Sequence, residues 1–415
     1  MFLLLFVDRK AMEIKMKKTL DIAMKKTLRS IREIGDRQLE YGGCADGNYF
    51  DVDRSKLREL GHIFSWTQSF FTGMAGISYK VTHNPEYLKW LYSAYDQFYD
   101  KVFVNDFETM HDLGFLYSPY AVMTYRITGD DKMKKIAVAA ADALLKRYVP
   151  NGHYIRAWGR MDNVTPPYVD AELAKDHFFT QSNGLAIIDC MMNLPILFFA
   201  SSVTGHPTYK NVAIEHIETT LKYFIRDDYS NFHAYRFNPE TGEPMHGDNF
   251  CGYGVDTYWA RGTSWLMYGL VIAYSYTKNE KYLDIYEKVT EKFISECREN
   301  GMPEWDFRLP ADKPMLRPAR EGAIQDTHEE CILDTSAAAV AVCAAQQFLK
   351  FRKNDKIEAY KNTALNTLVT KYFNTDENVC GMLHHVNGQM VYASYADYYF
   401  MEALATELYD METCW

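Results

Sequence analysis

Apolar positions recur along most of the chain with the 3.6-residue period of a helix, in two alternating kinds of segment. One kind is apolar all round, as in Ser264-Trp-Leu-Met-Tyr-Gly-Leu-Val-Ile-Ala-Tyr274. The other carries a polar face, as in Lys281-Tyr-Leu-Asp-Ile-Tyr-Glu-Lys-Val-Thr290. A helix that is apolar all round must be buried, and one with a polar face belongs at a surface. A short turn recurs between them: Thr82-His-Asn-Pro-Glu-Tyr87, Thr128-Gly-Asp-Asp-Lys-Met133, Thr204-Gly-His-Pro-Thr-Tyr209 and Thr277-Lys-Asn-Glu-Lys-Tyr282, with a degenerate copy at Arg352-Lys-Asn-Asp-Lys-Ile357. Gly, Asn and Pro break the first helix of each pair, and Asp, Asn or Thr caps the second.

The pattern predicts about twelve helices, near 11–35, 62–81, 85–103, 112–127, 130–148, 186–203, 207–227, 257–276, 279–299, 328–350, 354–373 and 392–410. Strand signals are few and confined to linkers. Alternating inner and outer helices predict an all-α fold, a closed (α/α)6 barrel of six helical hairpins. The alternative is an open solenoid, which needs polar end caps that the sequence does not show. Length alone suggests two or three domains, but the repeat argues for one. Residues 1–20 are expected to form an N-terminal extension, within or before the first helix, and 21–415 the single barrel domain.

The long connections, roughly 149–185, 228–256 and 300–327, hold most of the unusual residues. Asp112, Asp189, Arg261 and Asp334 all lie near predicted starts of inner helices. One rim of the barrel is therefore the simplest place for a site.

Composition narrows the function classes. The 415 residues are 47% hydrophobic, ample for a large core. Net charge is −10 with no long basic run, which argues against nucleic acid as a partner. Aromatics reach 15%, with 31 Tyr and 7 Trp, which suits a sugar-binding protein. None of the eight cysteines forms a C-x-x-C pair, so they read as reduced thiols of a cytoplasmic protein. No H-E-x-x-H, zinc-spaced Cys/His cluster, G-x-G-x-x-G, P-loop or G-x-S-x-G occurs, so no metal or cofactor is expected. The opening run Met1-Phe-Leu-Leu-Leu-Phe-Val7 is too short for a membrane span and lacks the basic flank and cleavage site of a signal peptide. Met12 or Met16 is an alternative start of the fold, and no membrane partner is expected.

Two acids stand out against apolar surroundings. Asp189 lies in Leu185-Ala-Ile-Ile-Asp-Cys-Met-Met-Asn-Leu-Pro-Ile-Leu-Phe-Phe199. Burial disfavours an ionised carboxylate and raises its pKa, and an acid still protonated near neutral pH is a general acid. The other reading is a structural Asp satisfied by a buried Arg or backbone N–H groups. Asp112, in Met110-His-Asp-Leu-Gly-Phe-Leu-Tyr117, is a second such carboxyl or a helix N-cap, and the two roles are compatible. Paired carboxyls in apolar settings are what glycoside chemistry uses.

Other candidates each have a plain alternative. Trp158 and the bases of Gly152-His-Tyr-Ile-Arg-Ala-Trp-Gly-Arg160 could meet a sugar and an anion, or form a solvated loop. Arg261 and Trp265 share one face of a helix start, and Arg261 needs either a buried carboxylate or a substrate anion. His233 is a ligand contact or a surface histidine. Trp66 is by residue type a core residue, and Asp334 a helix cap.

His111-Asp-Leu-Gly-Phe115, Ile188-Asp-Cys-Met-Met-Asn-Leu-Pro195, Trp259-Ala-Arg-Gly-x-x-Trp265 and Asp334-Thr-Ser-Ala-Ala-Ala339 together resemble the unsaturated glucuronyl hydrolases of glycoside hydrolase family 88. The similarity runs from about Trp66 to Ala396-Asp-Tyr-Tyr-Phe-Met-Glu-Ala403. The resemblance implies a six-hairpin α/α barrel. It implies substrates made by polysaccharide lyases, which carry a 4,5-unsaturated uronic acid at the non-reducing end. Asp189 would be the general acid/base and Asp112 would bind and orient the unsaturated ring. His111, Trp66, Trp158, His233, Arg261 and Trp265 would line the subsites. The implied reaction is hydration of an enol ether, with no metal or cofactor. Unsaturated rhamnogalacturonyl hydrolysis of pectin fragments is the nearest alternative, and a non-catalytic binder of uronate sugars on the same scaffold is another. The chain departs from the family pattern twice. The segment 159–177 is long, and Asp248-Asn-Phe-Cys-Gly-Tyr253 lacks the Arg that sulfate-tolerant streptococcal members use there.

Overall fold

The recurring turns have a common chemistry. In each, a threonine hydroxyl donates back to the carbonyl four residues earlier: Thr82 to Ser78, Thr128 to Thr124, Thr204 to Ala200 and Thr277 to Ala273. The same hydroxyl accepts the N–H two residues on, from Asn84, Asp130, His206 or Asn279. The residue between is left-handed, with φ 54° at His83, 71° at Gly129, 74° at Gly205 and 58° at Lys278. The following Asn84, Asp130 or Asn279 side chain then accepts an N–H of the next helix, and Pro207 opens the remaining one. One threonine thus ends a helix while its neighbour starts another.

The computed structural model describes residues 2–35, 43–44, 66–162, 173–309, 332–386, 388 and 391–415. The inner helices are Phe70–Thr82, a run over 113–128 interrupted by a π-helical turn at Ser118–Val122, Pro195–Thr204, Ala260–Thr277, Thr335–Leu349 and Ser394–Tyr409. Outside them lie Pro85–Ser93 with Tyr95–Phe103, Asp131–Leu145, Pro207–Tyr223, Glu280–Glu296, Asp355–Thr367 and the first helix, Phe2–Ile34. Neighbouring inner helices pack in sequence, and the last packs on the first. The first helix covers that seam, against both Phe70–Thr82 and Ser394–Tyr409. The fold is a closed (α/α)6 barrel, not an open solenoid. The first helix passes residue 20 without a break, and Met16 and Leu20 are already in the core.

The inner helices begin later than the periodicity predicts. The helix expected from 186 starts at Pro195, because Leu185–Ile187 pairs with Ala234–Phe237 as a strand and Ile188–Met192 forms a 3₁₀ turn. Ala234–Phe237 in turn pairs with Pro244–Asp248. Likewise Tyr258–Trp259 pairs with Asp306–Phe307 before the helix at Ala260, and Tyr392–Ala393 pairs with Gly43–Cys44 before the helix at Ser394. A short apolar run reads the same in a buried strand as in a buried helix. No helix among the described residues is long and apolar enough to cross a membrane.

Candidate active site

Three chain segments bring the two acids together. Asp112 occupies the N-cap position of Leu113–Tyr117, but its side chain makes no capping bond. Asp189 sits in the 3₁₀ turn that follows the Leu185–Ile187 strand. The two backbones meet at Gly114, where an added Cβ would lie 2.3 Å from the Asn193 Cα. Asn193 ties them further: its Oδ1 accepts the Phe115 N–H at 2.8 Å and its Nδ2 donates to the Asp189 carbonyl at 3.2 Å. The third segment lies between the loop before Asp112 and the strand before Asp189. Ala157 accepts the His111 N–H at 3.1 Å and donates its own to the Leu185 carbonyl at 2.9 Å.

Both carboxyls are held toward their neutral forms. Burial, then the Asp189 charge, pushes Asp112 up to about 7. Burial pushes Asp189 up to about 6, against a lowering influence from His233. Both carboxyls therefore keep a protonated fraction near neutral pH that a free aspartate would not have. Asp189 Oδ2 is buried without a hydrogen bond.

Two histidines face the acids. His233 Nδ1 accepts the Phe250 N–H at 3.2 Å, so a neutral ring carries its proton on Nε2, which faces Asp189 Oδ2 at 3.8 Å. The pairing of Ile187 with Ala234 sets this opposition, since Asp189 follows one strand and His233 precedes the other. His111 Nε2 lies 3.5 Å from Asp112 Oδ1. Burial and the nearby Arg147 hold the His111 ring well below its ordinary value, so this contact is not an ion pair at neutral pH.

Arg261 is 4% exposed and donates to Asp334 at 3.1 Å. Its guanidinium lies between the rings of Trp259 and Tyr395, at 4.5 and 4.8 Å. The buried carboxylate that Arg261 requires is therefore Asp334, which also caps Thr335–Leu349 through the Ser336 and Ala337 N–H groups. Arg261 Nε is buried without a partner, and the Arg261 charge acts on Asp189.

The aromatic candidates form two groups. Trp66 is partly buried, stacks on Tyr395 at 4.9 Å and meets Phe115 at 5.4 Å. Trp265 is 0% exposed, packed between Phe115 and Tyr399, with its indole N–H unpartnered. Trp158 lies on the other side, against Phe178, Phe179 and Phe250, and Phe178 also stacks on His233. The structure thus gathers Asp112, Asp189, His111 and His233, with Arg261 and Trp66 joined through Tyr395 and Phe115. Sequence reasoning gave no role to Asn193, Phe178, Phe250 or Tyr395. Only Asn193 left a signal, as a polar residue four after Asp189 in an apolar run. Of the long 159–177 segment, 163–172 lies outside the described residues. Asp248, in the segment noted above for lacking an Arg, accepts from Arg236 at 2.7 Å and meets His177 at 3.0 Å. Among the described residues no group of three His, Cys, Asp or Glu is placed to hold a metal ion.

The sequence profile of Glycosyl Hydrolase Family 88 matches residues 47–302. The chain belongs to that family. It is therefore a glycoside hydrolase. It is 32% identical over 365 residues to the unsaturated chondroitin disaccharide hydrolase of Streptococcus agalactiae serotype III, covering 84% of this chain and 83% of that one. It is 28% identical over 392 residues to the unsaturated glucuronyl hydrolase of Bacillus sp. strain GL1, covering 91% and 92%. The crystal structure of unsaturated glucuronyl hydrolase from Streptococcus agalactiae superposes with a TM-score of 0.80 at 27% identity, over 97% of this chain and 94% of that one. In this family 88 chain, Asp112 and Asp189 lie just before the inner helices that follow them.

Proposed function

We propose that this enzyme releases the 4,5-unsaturated uronic acid from the non-reducing end of lyase-generated, glycosaminoglycan-type oligosaccharides by hydrating its enol-ether double bond. The observation that carries this reading is the part-buried Asp112–Asp189 pair, whose carboxyls are pushed to about 7 and about 6. Such a pair keeps a proton available near neutrality. The protonated form of Asp189 donates to C4, and positive charge develops at C5 and the ring oxygen. Water adds at C5 and gives its proton back to the Asp189 carboxylate. The resulting hemiketal opens and releases the remaining saccharide. The His233 Nε2–H facing Asp189 stabilises the carboxylate formed after proton transfer. Asp112 orients the ring. His111, Trp66, Trp158, Arg261 and Trp265 line the subsites in this reading. Trp66 and Trp158, both partly exposed, supply flat faces for the sugar, and Arg261 supplies positive charge near the uronate carboxylate. The six free thiols among the described residues, Cys190, Cys251, Cys297, Cys343, Cys380 and Cys414, support a cytoplasmic setting.

Isotopes test the chemistry directly. Reaction in D₂O is expected to leave deuterium at C4 of the released keto-uronate, and reaction in ¹⁸O-water to place the new oxygen at C5. Loss of the mid-ultraviolet enoate absorbance reports turnover. Asp189→Asn is expected to abolish turnover with helicity intact. Cleavage that puts solvent oxygen on the anomeric carbon would return the enzyme to ordinary glycoside hydrolysis.

A further inference from the structure

Arg147 follows the outer helix Asp131–Leu145 and is 1% exposed. Its guanidinium is spent on backbone carbonyls of two segments. Nη1 donates to Thr109 at 2.6 Å. Nε donates to Arg156 at 2.8 Å, and Nη2 to Ala157, Trp158 and Gly159, each at 3.0 Å. The Arg147 carbonyl itself accepts the Arg156 N–H at 2.9 Å. One planar fork therefore joins the loop that leads into His111 and Asp112 to the 156–159 segment. That segment is the spacer between the two acids, since Ala157 bonds to His111 on one side and to Leu185 on the other.

We propose that Arg147 is a positioning residue that sets the spacing of Asp112 and Asp189 by clamping the 156–159 segment between the loop before Asp112 and the strand before Asp189. The roles of the two acids rest on the hydration reading above; the clamp itself does not. A lysine keeps the charge, but a single Nζ cannot reach Thr109 and the 156–159 carbonyls together. The groups that face Asp112 are His111 from its own segment, Lys101 from Tyr95–Phe103, Arg147, and Asp189, Cys190 and Asn193 from the opposing turn. A change in the spacing of the acids changes their mutual repulsion, and so moves the pH midpoints of both.

The test uses Arg147→Lys, with Arg147→Met as the second variant. Infrared titration of the protonated-carboxyl bands in the ligand-free protein, assigned by their loss in Asp112→Asn and Asp189→Asn, reads the pair without any substrate. In Arg147→Lys both midpoints are expected to move toward each other, and kcat on unsaturated disaccharide to fall at least about tenfold. In Arg147→Met the lost charge by itself is expected to raise the Asp112 midpoint above wild type, so the lysine variant isolates the geometric effect. Midpoints unmoved in Arg147→Lys overturn the proposal, whether kcat is retained or falls only with the folded fraction measured by melting. If Arg147→Met fails to fold, Arg147→Lys alone decides. Should wild-type enzyme leave unsaturated disaccharides untouched, the hydration reading fails, while the infrared midpoints still decide the clamp.

Discussion

Asp112 and Asp189 are 13% and 16% exposed at the side chain, and each is held away from the ionised form it has in water. A buried carboxyl with a raised pKa binds more protons in the folded than in the unfolded chain. Stability therefore falls as pH rises from the unfolded value of 3.8 to the folded value of about 7 for Asp112. Asp112→Asn removes that penalty. It is expected to melt on the order of a few °C above wild type at pH 8, and with little difference near pH 4, in paired melting curves. Its turnover is expected to fall on the order of 10²-fold or more. A variant with unchanged turnover and lower stability would make Asp112 structural. In wild type, kcat/KM is expected to decline as pH rises through about 6, where Asp189 of the free enzyme loses its proton. Trp265 poses a different question, because its indole N–H is buried and unpartnered, a costly state for a donor. Trp265→Phe keeps most of the packing and is expected to raise KM several-fold with a melting temperature near wild type. An unaltered KM would put that N–H out of the substrate's reach.

At the scale of elements, the threonine turns were legible because each bond is local: hydroxyl to the preceding turn, amide to hydroxyl, side-chain cap to the next helix. The starts of the inner helices were not. Leu185–Ile187 becomes a strand because Ala234–Phe237 lies beside it, and that partner is distant in sequence. The displacement matters chemically, since it puts Asp189 in an open turn and not inside a helix. Gly114 is the point where the two acid-bearing segments touch. Gly114→Ala places a methyl group against the Asn193 backbone and is expected to cost about 1–3 kcal/mol. Turnover should fall by roughly 10-fold or more, because the carboxyls part. Equal activity and melting in Gly114→Ala would show that the segments separate without consequence.

Across the whole molecule, closure places the last inner helix under the site. Ser394 donates to the Thr67 carbonyl at 3.0 Å, and Gly73 leaves room for the Tyr398 ring, 2.4 Å from where a Cβ would sit. The tail then packs inward. Trp415 stacks on Tyr399, meets Phe115 edge-on at 6.2 Å and donates to the buried Glu402 at 3.0 Å. Tyr268 and Tyr398 donate to the same carboxylate. Trp415→Ala removes both ring and donor, and is expected to destabilise by about 3–5 kcal/mol in denaturant titration. A cost below about 1 kcal/mol would show that the tail merely rests on the barrel.

The sequence by itself determined the helices, their pairing into hairpins and their division into inner and outer rings. These depend on residue type within a few turns and on which faces must leave water. It also singled out Asp112 and Asp189, because a charge in an apolar run is conspicuous without any coordinates. Tertiary structure alone decided that Arg261 is paired with Asp334, that Trp265 is fully buried, and that Arg147 binds the carbonyls beside the acids. An arginine at the end of an outer helix looks like any solvated base until the fold brings Thr109 and Ala157 to it. Long-range hydrogen bonds join residues whose spacing in the chain carries no period, so nothing local records them.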